Sequence, residues 1–181
     1  MTPPRLVPTP VASAARPTVL RRGSPDDATA IHALIARHES AGHLLPRRVE
    51  ELTVHAPRFL IVEDADGLLA CAELTPLGPA VAEIRSLVVE RRARGLGIGR
   101  KLVDQLLDEA RRAGFGKVCA FTHQPAYFAR LGFSLVPHSW VPEKIASDCA
   151  SCALFRRCGQ SAMERPLDVP AVRRGHARAV A

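Results

Sequence analysis

Three glycines alternate with apolar residues near the middle of the chain, at Gly95, Gly97 and Gly99. Arg94 and Arg100 flank them. An apolar run precedes this loop and a helical pattern follows it, so the glycines mark a strand-to-helix turn. Glycine lets a backbone approach a ligand closely, and the first N–H groups of a helix carry a partial positive charge. With the two arginines, these features predict a pyrophosphate-binding loop.

Two common nucleotide-binding motifs do not fit this loop. A Rossmann fingerprint places its glycines in the first βα unit, with an acid after the next strand, whereas this loop lies in mid-chain. A Walker-type loop needs Gly-Lys-Ser/Thr, and here Arg100 follows Gly99. The sequence therefore indicates a different pyrophosphate ligand, with an arginine- and glycine-rich surface turn as the alternative.

A second group of residues with chemical potential is a set of cysteines. Cys149, Cys152 and Cys158 have C-x2-C-x5-C spacing, which could hold zinc with His138 or His123 as fourth ligand. The usual zinc pattern has a second C-x2-C pair, which is missing here. We therefore expect reduced thiols and no metal, with zinc as the alternative.

The hydrophobic pattern predicts the elements that would position these groups. Helical spacing predicts a helix over residues 24–40, a short one from residue 46, a long one after the glycine loop, and a short one over 125–131. Apolar runs predict strands at 18–22, 59–62, 68–74, 81–89, 117–121 and 133–137. This order predicts an α/β fold with a central mixed sheet flanked by helices.

The net charge of +7 by itself would suggest a nucleic-acid partner, but the positions of the charges do not support one. Residues 1–22 and 170–181 hold four and three arginines and no acid, so residues 23–169 are electroneutral. One Trp and one Tyr leave few side chains for base stacking. We therefore expect no nucleic-acid partner.

The length of 181 residues predicts one domain. We place it at 18–168, between a Pro-rich disordered leader at 1–17 and a basic disordered tail at 169–181. Prolines interrupt the region where a signal peptide needs its apolar stretch, and no apolar run is long enough to span a bilayer. These patterns predict a cytoplasmic protein without a membrane partner; they also allow a homodimer.

Two segments resemble the GNAT acetyltransferases. Residues 94–99, Arg-Gly-Leu-Gly-Ile-Gly, match the Arg/Gln-x-x-Gly-x-Gly/Ala signature of that superfamily, and residues 127–133, Tyr-Phe-Ala-Arg-Leu-Gly-Phe, resemble its second signature. The resemblance implies the GNAT fold and acetyl-CoA as co-substrate, with a splayed strand that pairs with the pantetheine arm. The implied CoA-binding residues are Leu87, Val88 and Val89 on the strand, and Arg94, Gly95, Gly97, Ile98, Gly99 and Arg100 in the loop.

Most of residues 26–164 is similar to small, stand-alone N-acetylglutamate synthases, the acetyltransferases that open arginine biosynthesis. The similar segments are residues 42–47, 82–89, 141–145 and 148–152, with Cys158. This resemblance implies acetylation of the α-amine of an amino acid, L-glutamate or glutamine. A GNAT enzyme acting on another small amine or a peptide N-terminus is the first alternative, and a non-catalytic CoA-binding module is the second.

The resemblance also places a general base at Glu83, which could take the ammonium proton directly or through water. Glu83 precedes Arg85 by two residues on a predicted strand, so the two side chains share a face. Arg85, Arg47 and Lys144 are the candidates for binding the carboxylates of an amino-acid substrate. The alternatives are a structural glutamate and ordinary surface cations.

A general acid is harder to assign. Many GNAT enzymes use a tyrosine four residues before the glycine of the second signature, and here that position holds Phe128. Tyr127 lies one residue earlier, on a different face of the helix. Tyr127 remains the candidate acid, with water as the alternative.

Overall fold

The computed structural model describes residues 17–39, 44 and 46–168. The predicted leader, apart from Pro17, and the predicted tail lie outside the described residues, as do residues 42, 43 and 45 of the segment that resembles N-acetylglutamate synthases.

Among the described residues, seven strands form one sheet in the order β1-β2-β3-β4-β5-β7-β6. The strands are β1 (Val19–Arg22), β2 (Phe59–Asp64), β3 (Gly67–Pro76), β4 (Val81–Val89), β5 (Lys117–Thr122), β6 (Ser134–Val136) and β7 (Ser161–Pro166). Only β4 and β5 pair in parallel; the other neighbours are antiparallel. The predicted mixed α/β sheet is confirmed.

Helices connect and cover the strands. They are α1 (Ala28–Glu39), α2 (Val49–His55), α3 (Ile98–Arg112), α4 (Pro125–Ala129) and α5 (Pro142–Lys144), and α5 continues into a wider π-helical turn (Ile145–Cys149). Short 3-10 turns lie at Pro25–Asp27, Ala56–Arg58, Arg91–Ala93, His138–Trp140 and Phe155–Arg157.

The sheet buries apolar side chains on both faces. Leu60 and Val62 of β2 pack in one cluster with the apolar side of α3. Phe59 and Ile61 pack in a second cluster with α1 and α2. Successive side chains of a strand point to opposite faces, so the unbroken apolar run of β2 supplies both layers.

The hydrophobic pattern does not predict β7, the last strand of the described residues. It lies between β5 and β6, with Ala162 and Met163 both buried. Neighbouring buried residues do not alternate with polar ones, so the period-2 pattern that marks a half-buried strand is absent. This strand is recognised through its partners rather than through its own sequence.

The strands β4 and β5 separate after a short parallel ladder. They pair only at Val81–Lys117, Ala82–Val118 and Glu83–Cys119. Beyond Glu83, β4 continues along β3 while β5 continues along β7. The sheet therefore opens between them at the carboxyl end of β4, which confirms the predicted splayed strand.

A β-bulge lies at the start of this opening. Arg85 faces Glu73 on β3 and Val88 faces Cys71, so β4 has an extra residue between the two pairs. Within this stretch the backbone of Ser86 has a φ of 49°, in the left-handed region that residues other than glycine rarely adopt. Bulges re-aim side chains and often lie beside active sites.

Arg21 joins the first strand to the start of α1. Its guanidinium donates two hydrogen bonds of 2.8 Å to Asp27 and further ones of 2.9 and 3.0 Å to Glu63. Asp27 also accepts a hydrogen bond of 2.7 Å from the backbone N–H of Ser24. The hydrogen bond from Arg21, helped by Ser24, holds the pKa of Asp27 well below its usual range.

We expect Asp27→Asn to destabilise the fold at pH 7 by on the order of 1 kcal/mol, because it removes the negative charge at the helix start and half of an ion pair. The lowered pKa gives stability that is complete above the unfolded pKa of about 3.9 and is lost as the pH falls further. Urea unfolding should therefore show a gap to the parent protein that narrows between pH 7 and pH 3. Asp26→Asn, at the exposed neighbouring position, is the matched control. A gap of equal size at both pH values would contradict the assignment.

Candidate active site

A cleft of about 1260 Å³ opens where β4 and β5 separate. Its walls are β4 from Glu83 onward, the glycine loop and the first turn of α3, the end of β5, α4, and parts of the segment 138–160. Every site residue predicted from the sequence lines it: Arg47, Glu83, Arg85, Leu87, Val88, Val89, Arg94, Gly95, Gly97, Ile98, Gly99, Arg100, Tyr127 and Lys144. The structure thus brings these residues together in one cleft. The role of each residue remains a prediction.

The glycine loop forms one end of the cleft. Gly95 and Gly97 have φ of 80° and 76°, and a Cβ added to either would meet no atom within 4 Å. Gly97 directly precedes α3, whose first N–H groups have no carbonyl partner in the helix. The Arg100 side chain is 64% exposed. A pyrophosphate fits here, because the backbone is open, the helix dipole is favourable and an arginine charge is close by.

The free edge of β4 connects this loop to the rest of the cleft. The strand pairs with β3 as far as Val89, but its other edge has no ladder beyond Glu83. Unpaired backbone N–H and C=O groups of a strand edge bind extended amide-containing ligands. The pantetheine arm of CoA, which carries two amides, suits this edge.

Tyr127 lies beside the glycine loop. A Cβ added to Gly99 would come within 2.6 Å of the Tyr127 hydroxyl oxygen and 3.3 Å of Val89 Cγ2, so a larger residue there would displace the Tyr127 side chain. The hydroxyl is buried without a hydrogen-bond partner among the described residues. Burial raises the pKa of Tyr127, and the charge of Asp104 raises it further. A protonated hydroxyl is therefore available to a bound ligand.

Phe128 stands at the position where the resemblance to GNAT enzymes implies a tyrosine, and its side chain is part of the core. Its ring makes an edge-to-face contact with Phe133 at 5.3 Å between centroids. Phe128 therefore contributes packing and no hydroxyl.

The other end of the cleft holds four charged side chains in contact. We call Glu83, Arg85, Lys144 and Asp148 the four-charge cluster. Glu83 is only 2% exposed, and its Oε2 accepts hydrogen bonds from Arg85 Nε at 2.5 Å and Lys144 Nζ at 2.8 Å. Asp148 Oδ2 accepts from Arg85 Nη2 at 2.5 Å and Lys144 Nζ at 2.7 Å. The two positive and two negative charges balance.

Arg85 keeps its charge in this half-buried setting. Burial alone lowers the pKa of Arg85, but the charges of Glu83 and Asp148 together raise it above its ordinary value. Lys144 also lies 5.3 Å from the centre of the Phe121 ring, close enough for a cation–π contact. Asp148 was not assigned a role from the sequence, although its position four residues after Lys144 on a helix would have paired the two side chains.

Arg47 is held by carboxylates of its own. It donates to Glu73 Oε2 and to Ser86 Oγ, each at 3.0 Å, and lies 2.8 Å from Glu51. Glu73 is completely buried, and His55 lies 3.2 Å from its other oxygen. The contact with Ser86 braces the left-handed residue of the bulge, so a structural role for Arg47 is evident beside the predicted substrate-binding one.

Cys149, Cys152 and Cys158 line the cleft as free thiols. Burial raises the pKa of Cys149. Within the described part of the chain, no group of three or more His, Cys, Asp or Glu residues is arranged to hold a metal ion. No helix among the described residues is long and apolar enough to cross a membrane.

Comparison with known proteins identifies the family. The model of the acetyltransferase (GNAT) family matches residues 28–133. An uncharacterized N-acetyltransferase of Chlorobaculum tepidum is 29% identical over 150 residues, which cover 83% of this chain and 97% of that protein. An amino-acid acetyltransferase of Neisseria meningitidis is 33% identical over 134 residues, which cover 73% of this chain but 31% of that enzyme.

A solved structure gives the same answer. The N-acetylglutamate synthase of Neisseria gonorrhoeae, complexed with coenzyme A and N-acetyl-glutamate, superposes with a TM-score of 0.74 at 29% identity. The match covers 86% of this chain and 36% of that one. With the splayed strand, the glycine loop and the cleft between them, these matches lead to one assignment: the chain belongs to the GNAT family of acetyltransferases, and acetyl-CoA is its acetyl donor.

Proposed function

We propose that this acetyltransferase acetylates the α-amine of an amino acid, with L-glutamate as the preferred acceptor and glutamine as the alternative. This is the first reaction of arginine biosynthesis. The observation that carries the proposal is the four-charge cluster, which sets a buried carboxylate and two cations beside the free edge of β4. The amino-acid acetyltransferase and the N-acetylglutamate synthase that resemble this chain support it.

Glu83 acts as the general base in this proposal. An acceptor amine arrives as an ammonium ion and must lose a proton before its nitrogen can bond to the acetyl carbonyl carbon. Glu83 accepts that proton, directly or through a water molecule. Attack gives a tetrahedral intermediate, whose nitrogen loses a second proton to water as the carbon–sulfur bond breaks. The departing thiolate takes a proton from water or from Tyr127, and in the second case water returns a proton to Tyr127.

Arg85 and Lys144 bind the acceptor through its carboxylates. Arg85 offers a planar guanidinium that can hold a carboxylate through two parallel hydrogen bonds, and Lys144 offers a point charge beside it. Arg47 is the third cation of this end of the cleft, already in contact with Glu73 and Glu51. Arginine and lysine on one side of Glu83 favour an acidic or amide acceptor over a polyamine.

The donor binds along the rest of the cleft. Arg94 and Arg100, with the backbone of Gly95, Gly97, Ile98 and Gly99, hold the pyrophosphate, while residues 87–89 pair with the pantetheine arm. Acetyl-CoA supplies the activated acetyl group. The chain's own contribution is to align the β4 edge with Glu83, so that an amine near Glu83 meets the end of the arm.

A thiol-release assay with acetyl-CoA tests the proposal across a panel of acceptors. We expect the largest kcat/KM with L-glutamate, a measurable value with glutamine, and much smaller values with lysine, spermidine and a peptide amine. Spermidine has no carboxylate, a peptide amine has none beside the reacting nitrogen, and the side-chain ammonium of lysine is repelled by Arg85 and Lys144. Glutarate, which has both carboxylates but no amine, should inhibit without releasing thiol. Comparable rates with glutamate, lysine and a peptide amine would refute the acceptor assignment.

A further inference from the structure

The carboxylate of Asp148 lies on both cations that are proposed to bind the acceptor. A single oxygen, Oδ2, accepts hydrogen bonds from Arg85 Nη2 and Lys144 Nζ. Burial raises the pKa of Asp148, but the hydrogen bond from Lys144 and the charges of Lys144 and Arg85 outweigh this and lower it, so the side chain is ionised. Asp148 thus makes the contacts that a substrate carboxylate would make.

Each cation of the four-charge cluster already has carboxylate partners. Arg85 and Lys144 are balanced by Glu83 and Asp148, so an acceptor carboxylate competes with these two for the cations. Glu83 is enclosed, with 3% of its side chain exposed, whereas 36% of the Asp148 side chain is exposed and it lines the cleft. Asp148 is therefore the partner that can be displaced.

The segment that carries Asp148 is weakly anchored. Residues Ile145–Cys149 form a π-helical turn closed by a hydrogen bond of 3.0 Å from Ala150 N–H to the Ile145 carbonyl. None of the residues of this turn is buried. Turning the Asp148 side chain toward solvent therefore disturbs no core contact, and π-helical turns are often found at functional sites.

We propose that Asp148 is an internal stand-in for the acceptor's carboxylate: it occupies Arg85 and Lys144 in the free enzyme, leaves them when the acceptor binds, and thereby sets acceptor affinity and excludes acceptors without a carboxylate. This rests on the proposed function, since it takes Arg85 and Lys144 as the acceptor site. An acceptor with a carboxylate regains the contacts that Asp148 loses. An acceptor without one must separate the ion pairs with no replacement.

The test is Asp148→Asn, measured by steady-state kinetics and by calorimetric binding to the CoA-loaded protein. Removing the competing charge should lower the KM for glutamate and the Kd for glutarate by roughly fivefold, the scale of one half-exposed ion pair. The Kd for CoA should not change. Asp66→Asn, which removes an exposed charge in the β2–β3 turn, is the control and should change none of these three constants.

The opposite sign would overturn the inference. If Asp148 positions the two cations or binds the acceptor ammonium, its removal raises the KM for glutamate. Asp148→Ala repeats the measurement without an amide that could bond to Lys144, and the CoA-induced rise in Tm verifies that each variant is folded. If the parent protein binds CoA but neither glutamate nor glutarate, the proposed function fails; if it binds both and Asp148→Asn binds them no more tightly, only the stand-in role fails.

Discussion

Replacing Glu83 by glutamine is expected to lower kcat with glutamate by about 10²–10⁴-fold, the usual contribution of a general base. Glutamine has nearly the same shape but cannot accept the ammonium proton. The Kd for CoA should hardly change, because Glu83 lies at the acceptor end of the cleft, away from the glycine loop. Steady-state kinetics together with calorimetric CoA binding separate the two effects.

Glu164→Gln is the matched control for this variant. Glu164 lies level with Glu83, because Cys119 of β5 pairs with both residues. It is also largely buried and bonded to a lysine, at 2.7 Å from Lys117, but it does not line the cleft. The control should lose stability and keep its kcat. Equal losses of kcat in both variants would mean that Glu83 serves the sheet rather than the reaction.

Replacing Gly97 by valine is expected to abolish the stabilisation by CoA. A ligand that binds only the folded state adds about 2.7 kcal/mol at a hundredfold excess over its Kd. A valine side chain at Gly97 would fill the space beside the N–H groups at the start of α3, where we expect the pyrophosphate. The rise in Tm with added CoA is the measurement.

Valine at Gly97 also carries a cost that has nothing to do with CoA. With a φ of 76°, the position strains a β-branched residue by on the order of 1–3 kcal/mol. Gly114→Val reproduces that strain. Gly114 lies just beyond the other end of α3, has a φ of 86°, and a Cβ added to it would meet no atom within 4 Å. Gly114→Val should keep the full CoA-induced rise in Tm. A parent protein whose Tm is unchanged by millimolar CoA would contradict the donor site itself.

The donor end of the site could be predicted because its information is local. The strand, the glycines and the helix that follow one another over residues 81–112 are adjacent in sequence, and each leaves a pattern of its own. The strand β2 could also be predicted from its own residues, because its apolar run supplies both faces of the sheet. Both the fold class and the position of the loop follow from such patterns.

The acceptor end depends on contacts between distant segments. Arg47 is neutralised by Glu73, and Arg85 by Asp148, which lie 26 and 63 residues away along the chain. The sequence offers Arg47 and Arg85 as candidate binding residues, but it does not reveal that Glu73 and Asp148 face them. The bulge at Ser86 could not be predicted from the sequence either, because serine has no preference for a positive φ.

The connection between β6 and β7 has a consequence for how acceptor choice can change. These strands are hydrogen-bonded neighbours, with Val136 opposite Ala162, yet residues 137–160 leave the sheet between them and bring Lys144 and Asp148 to the cleft. The chain re-enters the sheet close to where it left. The start of the segment is anchored to the sheet, because Val141 is buried against Val81 and Cys119. The proposed donor site lies upstream, in β4 and α3, but β4 also carries Glu83 and Arg85 of the acceptor end. Transplanting residues 137–160 from a relative should therefore change acceptor preference only as far as Lys144 and Asp148 set it, and a full exchange would need Arg47 and Arg85 as well.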